Sequence, residues 1–405
     1  MSPRTHERPF HVVLLGSTGS TGFTGALAAK YLAAHFPPGA RLALAGRNQA
    51  KLDAVRDRLL RINQQLDDIA LLHADSSDEQ SLARVAESTR VVITTVGPYL
   101  EYGEPLVAAC AAAGTDYVDL TGEPEFVDRM YVEHHATAER TGARIVHACG
   151  FDSIPHDLGV LFTVQQLPAG VPVTLRGVVR TNATISGGTL HSGLGQLSRP
   201  RAMLQAAAGR RRLEPRPRGR QVRTRIGRPH RDRTLGTWLI PLPTIDPDVV
   251  RRSALARPDY GPDFTYSPYA GVRRVATVAG ALAGSAVALA AVQVPFLRRA
   301  IGRRIPQGEG PSAERRDRTW FTVDIIGEGG GRTVHTQVRG ADPGYTETAK
   351  MLAESALSLA FDDNPPTAGQ VTTATAMGEN LLRRLGDADI SFTVITSQTA
   401  THAER

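Results

Sequence analysis

The residues best suited to chemistry come early, in Gly16-Ser-Thr-Gly19-Ser-Thr-Gly22-Phe-Thr-Gly25, after the apolar run Phe10–Leu15 and before a helical pattern. A pyrophosphate at a helix amino terminus needs backbone N–H groups aimed at it and no Cβ in the way, so glycine recurs there. Ser17, Thr18, Ser20 and Thr21 add hydroxyl donors and helix caps. Alone, such a pattern marks a Gly-rich turn; between a first strand and a helix it reads as a dinucleotide cradle. The tandem S/F-T-G units leave two triplets open for the three glycine roles, Gly16/Gly19/Gly22 or Gly19/Gly22/Gly25.

The end of the second strand selects the dinucleotide. Where an acid would hold a ribose 2′-hydroxyl, this chain has Ala45-Gly-Arg47-Asn48, with Lys51 four residues after Arg47. A guanidinium there makes charge-assisted, often bidentate bonds to a 2′-phosphate, so NADP is the expected cofactor. The alternative is an ordinary surface arginine, although no acid intervenes before Asp53. Asp75, after the third strand, is expected to border the adenine, and Thr95-Val96-Gly97-Pro98, after the fourth, to pass the nicotinamide. No Tyr-x-x-x-Lys pair, H-E-x-x-H, metal-spaced Cys/His cluster or G-x-S-x-G elbow occurs, so no metal is expected and hydrolase chemistry is set aside.

The elements that must hold these residues follow from periodicity. Strand patterns at Phe10–Leu15, Arg41–Ala45, Ile69–His73, Val91–Thr95, Tyr117–Leu120 and Arg144–Ala148 alternate with helical ones at Gly25–His35, Gln49–Gln64, Asp78–Glu87, Tyr102–Ala113 and Pro124–Thr141. This is the signature of an α/β, Rossmann-type doubly wound parallel sheet. In a chain of 405 residues a second domain is expected. The reading is a cofactor domain over 1–155, a β-rich α+β second domain over 156–340, and a largely helical tail over 341–405. The net charge of +7 is carried by arginine, with 13 between Arg199 and Arg233 against Glu214 and Asp232. Lacking apolar periodicity, 199–233 is expected to be an exposed, mobile insertion. The uncharged stretch Val275–Leu297 is long enough to span a bilayer but rich in Ala and Gly, which favours a buried helix or one lying on a membrane or partner surface. Cys110 and Cys149 are expected to be reduced thiols in a cytoplasmic protein.

Several further motifs resemble the saccharopine dehydrogenase family, in its trans-acting enoyl reductase branch. They are Leu44-Ala-Gly-Arg47, Thr94-Thr-Val-Gly-Pro-Tyr99, Tyr102-Gly, Leu106-Val-Ala-Ala-Cys110, Gly114-Thr-Asp-Tyr117, Asp119-Leu-Thr-Gly-Glu123, Gly150-Phe-Asp-Ser-Ile-Pro155, Asp157-Leu-Gly159, Asp342-Pro-Gly-Tyr345 and Ala374-Thr-Ala-Met-Gly378. The resemblance implies that 156–340 is an inserted substrate domain and that the helices of 341–405 return to the Rossmann domain. It also implies NADPH-dependent reduction of an unsaturated acyl chain in polyketide lipid biosynthesis, presented on a polyketide synthase acyl carrier protein. The chain departs from the family pattern in its extra S-T-G unit, in His156 where Ser is usual and in Thr373 where Pro is usual.

Enoyl reduction needs a donor to the thioester oxygen and an acid for the α-carbon. Tyr99 and Tyr102 are the expected oxygen donors, each with loop packing as its alternative. Asp152 and His156, at the junction to the second domain, are the other catalytic candidates, His156 as a proton donor with a satisfied structural histidine as its alternative. Glu123 binds ribose, orients substrate or caps the next helix. Two other functions stay open, reduction of an imine or ketone and a non-catalytic, lipid-associated NADP-binding role. Nucleic acid is not an expected partner; peripheral membrane contact through 275–297 and a homodimer stay open.

Overall fold

The computed structural model describes residues 8–18, 23–64, 66, 68–183, 199–242, 244–274 and 310–399, and the structural statements below concern these. Gly19, Ser20, Thr21 and Gly22 of the glycine loop, and the apolar stretch 275–297, lie outside them.

Strands β1 (Phe10–Leu15), β2 (Leu42–Gly46), β3 (Ile69–His73), β4 (Thr89–Thr94), β5 (Asp116–Val118) and β6 (Arg144–Val146) form a parallel sheet in the order β3-β2-β1-β4-β5-β6. That is the doubly wound order, reversing direction between β1 and β4. Alternate residues of one strand serve opposite faces. Val12 and Leu14 join a core with the helices Phe23–His35 and Thr346–Phe361, whereas Val13 and Leu15 join one with Glu79–Ser88 and Glu104–Ala113. Both faces are covered, which is why these strands read as continuous apolar runs. Helix starts follow local chemistry: Asn48 accepts from Lys51 N and Asp78 from Gln80 N and Ser81 N.

The second sheet is mixed. Its strands are β7 (Val173–Thr181), β8 (Gln221–Thr224), β9 (His230–Arg231), β10 (Trp238–Pro241), β11 (Asp263–Val272), β12 (Phe321–Gly329) and β13 (Arg332–Gly340), and the chain later returns to it. After β13, β14 (Gly369–Val371) joins the first sheet beside β6, and β15 (Ser391–Thr399) pairs with β13 in the second. The second sheet runs β15-β13-β12-β7-β11-β10-β9, with β8 also on β11. The helix Ile154–Val164 leads from the first sheet and lies on β12 and β13. A Cβ on its Gly159 would stand 2.6 Å from Ile325 Cδ1, so helix and sheet meet at backbone distance.

The arginine segment is a correction. It is not an unstructured exposed insertion: it contains the helix Pro200–Leu213 followed by β8 and β9. Arg199 binds the buried Glu125 carboxylate at 2.8 and 3.0 Å. Arg210 is only 3% exposed, bonded to Glu214 at 3.0 Å and stacked 4.1 Å over the Tyr131 ring, with Asp128 3.6 Å away. Apolar periodicity is absent because the buried face of this helix is built partly from paired guanidinium groups. The segment's outer arginines, among them Arg211, Arg212, Arg216 and Arg218, are exposed. Among the described residues no helix is long and apolar enough to cross a membrane.

Candidate functional site

The loops leaving the carboxyl ends of β1 to β6 bring the expected site residues to one edge of the first sheet, where open α/β sheets bind ligands. Gly16 has φ +102°, a conformation natural only to glycine, and a Cβ on it would lie 2.5 Å from Thr95 Oγ1. A Cβ on Gly25 would lie 2.3 Å from Gly16 O. Among the described residues, Gly16 therefore makes a tight turn and Gly25 a close helix–strand contact. Thr95 ties the loops together, donating through Oγ1 to Gly16 O at 3.3 Å and through its N–H to Leu15 O at 3.1 Å.

Three observations test the fit of a dinucleotide. Ser17 is fully buried, yet its Oγ has no hydrogen-bond partner among the described residues, as expected of a hydroxyl reserved for a phosphate. The Gly16–Gly25 contact removes side-chain bulk beneath the first turn of Phe23–His35. At the end of β2, Arg47 and Lys51 are exposed cations, and the Arg47 charge reaches Asp75 across the ends of β2 and β3. Asp75 itself accepts from Ser77 N and Oγ, bonds that hold its carboxyl below the usual range. Asn48 caps its helix at 2.9 Å. Val96, Gly97 and Pro98 line the edge half-buried.

The catalytic expectations divide. Tyr99 does not serve as an open donor: it is 6% exposed, and its hydroxyl donates to Thr94 O and accepts from Leu120 N, both at 3.2 Å. Burial pushes its pKa well up. It pins the loop after β4 to the loop after β5. Tyr102 is 47% exposed and forms no hydrogen bond with the groups below. Glu123 caps the short helix Tyr99–Tyr102, accepting from Tyr99 N at 3.3 Å and Leu100 N at 2.8 Å, rather than the helix that follows it.

Asp152 and His156 both neighbour Asp246, which was not among the sequence expectations. His156 is 4% exposed; its Nδ1 lies 2.9 Å from the Tyr266 hydroxyl and 3.4 Å from Asp246 Oδ2. Tyr266 donates to Asp246 Oδ2 at 3.2 Å, and Thr244 bonds to Asp246 Oδ1. Asp152 sits partly buried over the loop after β5, where a Cβ on Gly122 would be 3.2 Å from its Oδ2. Desolvation, reinforced by the Asp246 charge, raises Asp152 to about 6. Burial also raises Asp246, against the pull of His156, and lifts Tyr266 well above its ordinary range. Asp246 comes from a helix start and Tyr266 from β11, so the cluster spans the two sheets. Asp246-Pro247 at a helix start and the Phe264/Tyr266 alternation were the signals available.

Two departures from the family pattern have local partners: His156 bonds to Tyr266, and Thr373 Oγ1 donates to Asp157 Oδ2 at 2.6 Å. Beneath the site, Asp119 holds the end of β6. Its carboxylate accepts from Tyr117 OH, Thr121 N and Ala148 N and lies 2.6 Å from His147 Nδ1. Ala148 has φ +59°, a costly conformation for alanine that these bonds impose.

The saccharopine dehydrogenase NADP-binding domain matches residues 12–146, which fixes NADP as the cofactor of this edge. A protein named trans-acting enoyl reductase in Mycobacterium ulcerans is 35% identical over 98% of this chain and 99% of its own length. One so named in Mycobacterium bovis is 36% identical over 96% and 98%. A Mycobacterium tuberculosis relative carrying that activity in its name is 38% identical over 95% and 97%. The fold is similar to that of apo saccharopine dehydrogenase (L-Glu forming) from Saccharomyces cerevisiae, with a TM-score of 0.53, 11% identity and coverage of 96% of this chain and 100% of that one.

Proposed function

The chain belongs to the saccharopine dehydrogenase family and is an NADP-dependent oxidoreductase; from that premise we propose that it reduces the carbon–carbon double bond of an enoyl thioester in polyketide-derived lipid synthesis. The observation that carries the reading is Asp152, a carboxyl raised to about 6 at the sheet edge, with no hydrogen bond to another described residue. Reduction of an enoyl group needs one proton at the α-carbon, and a carboxyl with this affinity can hold and deliver it.

When bound, reduced NADP supplies the hydride. The chain's own part is to hold, orient and protonate. Gly16, Gly25 and Ser17 shape the cradle at the first helix, and Arg47 with Lys51 binds the 2′-phosphate. Asp152 carries the proton on its carboxyl, held there by desolvation and secondarily by the Asp246 charge, for delivery to the substrate's α-carbon. His156 and Tyr266 position Asp246. Tyr102 is the exposed hydroxyl left to approach the thioester oxygen. The second sheet supplies the substrate side, and the acyl chain arrives on an acidic carrier protein.

The test is absorbance of the reduced nicotinamide with a panel of enoyl thioesters, free and carrier-bound, beside an α-keto acid with an amine. Oxidation by the enoyl thioesters alone is the expected result. Oxidation only by keto acid and amine would move the activity to imine reduction, and saturable NADPH binding without any turnover would leave a non-catalytic protein.

A further inference from the structure

Phe23, the first residue of the helix that begins at the glycine loop, is gripped by a distant part of the chain. A Cβ on Gly310 would lie 2.4 Å from Phe23 Cδ1, so the backbone there rests on the ring. The Tyr345 ring stands edge-on at 5.5 Å and 85°. The Arg316 guanidinium lies 5.0 Å from the Phe23 centroid, and its Nη1 donates to Pro311 O at 2.6 Å. Arg316 is half-buried and pairs with no carboxylate among the described residues. A partly desolvated guanidinium with open N–H groups calls for an anion. It stands at the amino terminus of a 13-residue helix, whose first N–H groups favour one, and the fully buried Ser17 Oγ in the adjoining loop has no partner among the described residues.

We propose that Arg316 is a cofactor-holding residue, reaching from the segment before β12 to the pyrophosphate of NADP at the start of Phe23–His35. Phe23 is the platform that keeps the guanidinium in place, through a cation–π contact that a lysine would make less well. Arg47 and Arg316 then divide the cofactor, Arg47 reading the 2′-phosphate and Arg316 the pyrophosphate common to NADPH and NADH. The inference rests on the cofactor reading of the glycine loop.

The experiment is equilibrium titration of the full chain with NADPH and with NADH, followed by reduced-nicotinamide fluorescence, for the unmodified protein and for Arg316→Met, Arg316→Lys and Arg47→Ala. Arg316→Met retains a flexible side chain to pack on Phe23 but removes the charge. It should weaken both dinucleotides about tenfold or more and leave their affinity ratio unchanged. Arg316→Lys should recover part of the loss, and Arg47→Ala should change the ratio. Unchanged Kd values in Arg316→Met, even with a lowered thermal midpoint, would reduce Arg316 to a packing role and overturn the proposal. A loss confined to NADPH would also overturn it, by moving Arg316 to the 2′-phosphate. If the unmodified protein bound neither dinucleotide saturably, the cofactor reading itself would fall with it.

Discussion

At the scale of single residues, Asp152 makes opposite demands on stability and activity. Its carboxyl is raised to about 6, above the ordinary Asp value, so the folded state binds this proton more tightly than the unfolded chain does. The stabilisation is complete below about pH 4 and is lost as pH rises through about 6. Asp152→Asn removes the charge that must otherwise be desolvated. Its thermal midpoint should exceed that of the unmodified protein at pH 7.5, and the advantage should vanish near pH 4. Its turnover of an enoyl thioester should fall about a hundredfold or more while NADPH affinity holds. In the unmodified enzyme, kcat/KM should decline above about pH 6 as the donor of the free enzyme empties, a limb missing from the residual activity of Asp152→Asn. Arg47 supplies a second test at this scale. Arg47→Asp puts a carboxylate where the 2′-phosphate is proposed to bind and should reverse the preference toward NADH; an unchanged ratio of Kd values would place the 2′-phosphate elsewhere.

At the scale of elements, the arginine helix shows where reading from the sequence stops. The six strands of the first sheet were legible because each is buried on both faces and written in β-branched and aliphatic residues, and the turn at Gly16 was legible because a positive φ restricts residue type to glycine. The helix Pro200–Leu213 was not, since its contact with Pro124–Thr141 is made through Arg199–Glu125 and Arg210–Asp128, pairs separated by more than seventy residues. Tyr99 misled for a related reason: its position in the loop was right, but only the fold shows its hydroxyl tied to two backbone groups. Asp246 reaches the site from a helix start and Tyr266 from β11, a meeting that no local spacing announces. Desolvation, followed by the nearby Arg252, lowers Arg210 to about 10, while Arg210 and Arg251 together hold Glu214 low against its own burial. Arg210→Ala would strip Asp128 and Glu214 of a buried partner and should cost about 3–5 kcal/mol, read from the urea unfolding midpoint. A change below about 1 kcal/mol would show that the helix rides loosely on the surface.

At the scale of the whole molecule, the outer arginines Arg211, Arg212, Arg216 and Arg218 give one surface a positive field. Such a field raises the encounter rate with an acidic carrier and is screened over about 10 Å in 0.1 M salt. Added salt, or glutamine at these four positions, should therefore slow reduction of a carrier-bound enoyl substrate and leave a short free thioester unaffected. Equal responses from both substrates would exclude steering. The position of β14 bears on how the molecule comes to exist at all. Gly369–Val371 closes the outer edge of β6, although more than two hundred residues separate the two strands. On the ribosome, the cofactor half is synthesised first but waits for its last strand until β7 to β13 have been made. A nascent chain released before Gly369 would carry a complete glycine loop beside an open row of backbone donors and acceptors on β6, an invitation to pair with another chain. Such fragments are expected to aggregate in proportion to their concentration, and early termination would yield insoluble material rather than a free-standing NADP-binding domain.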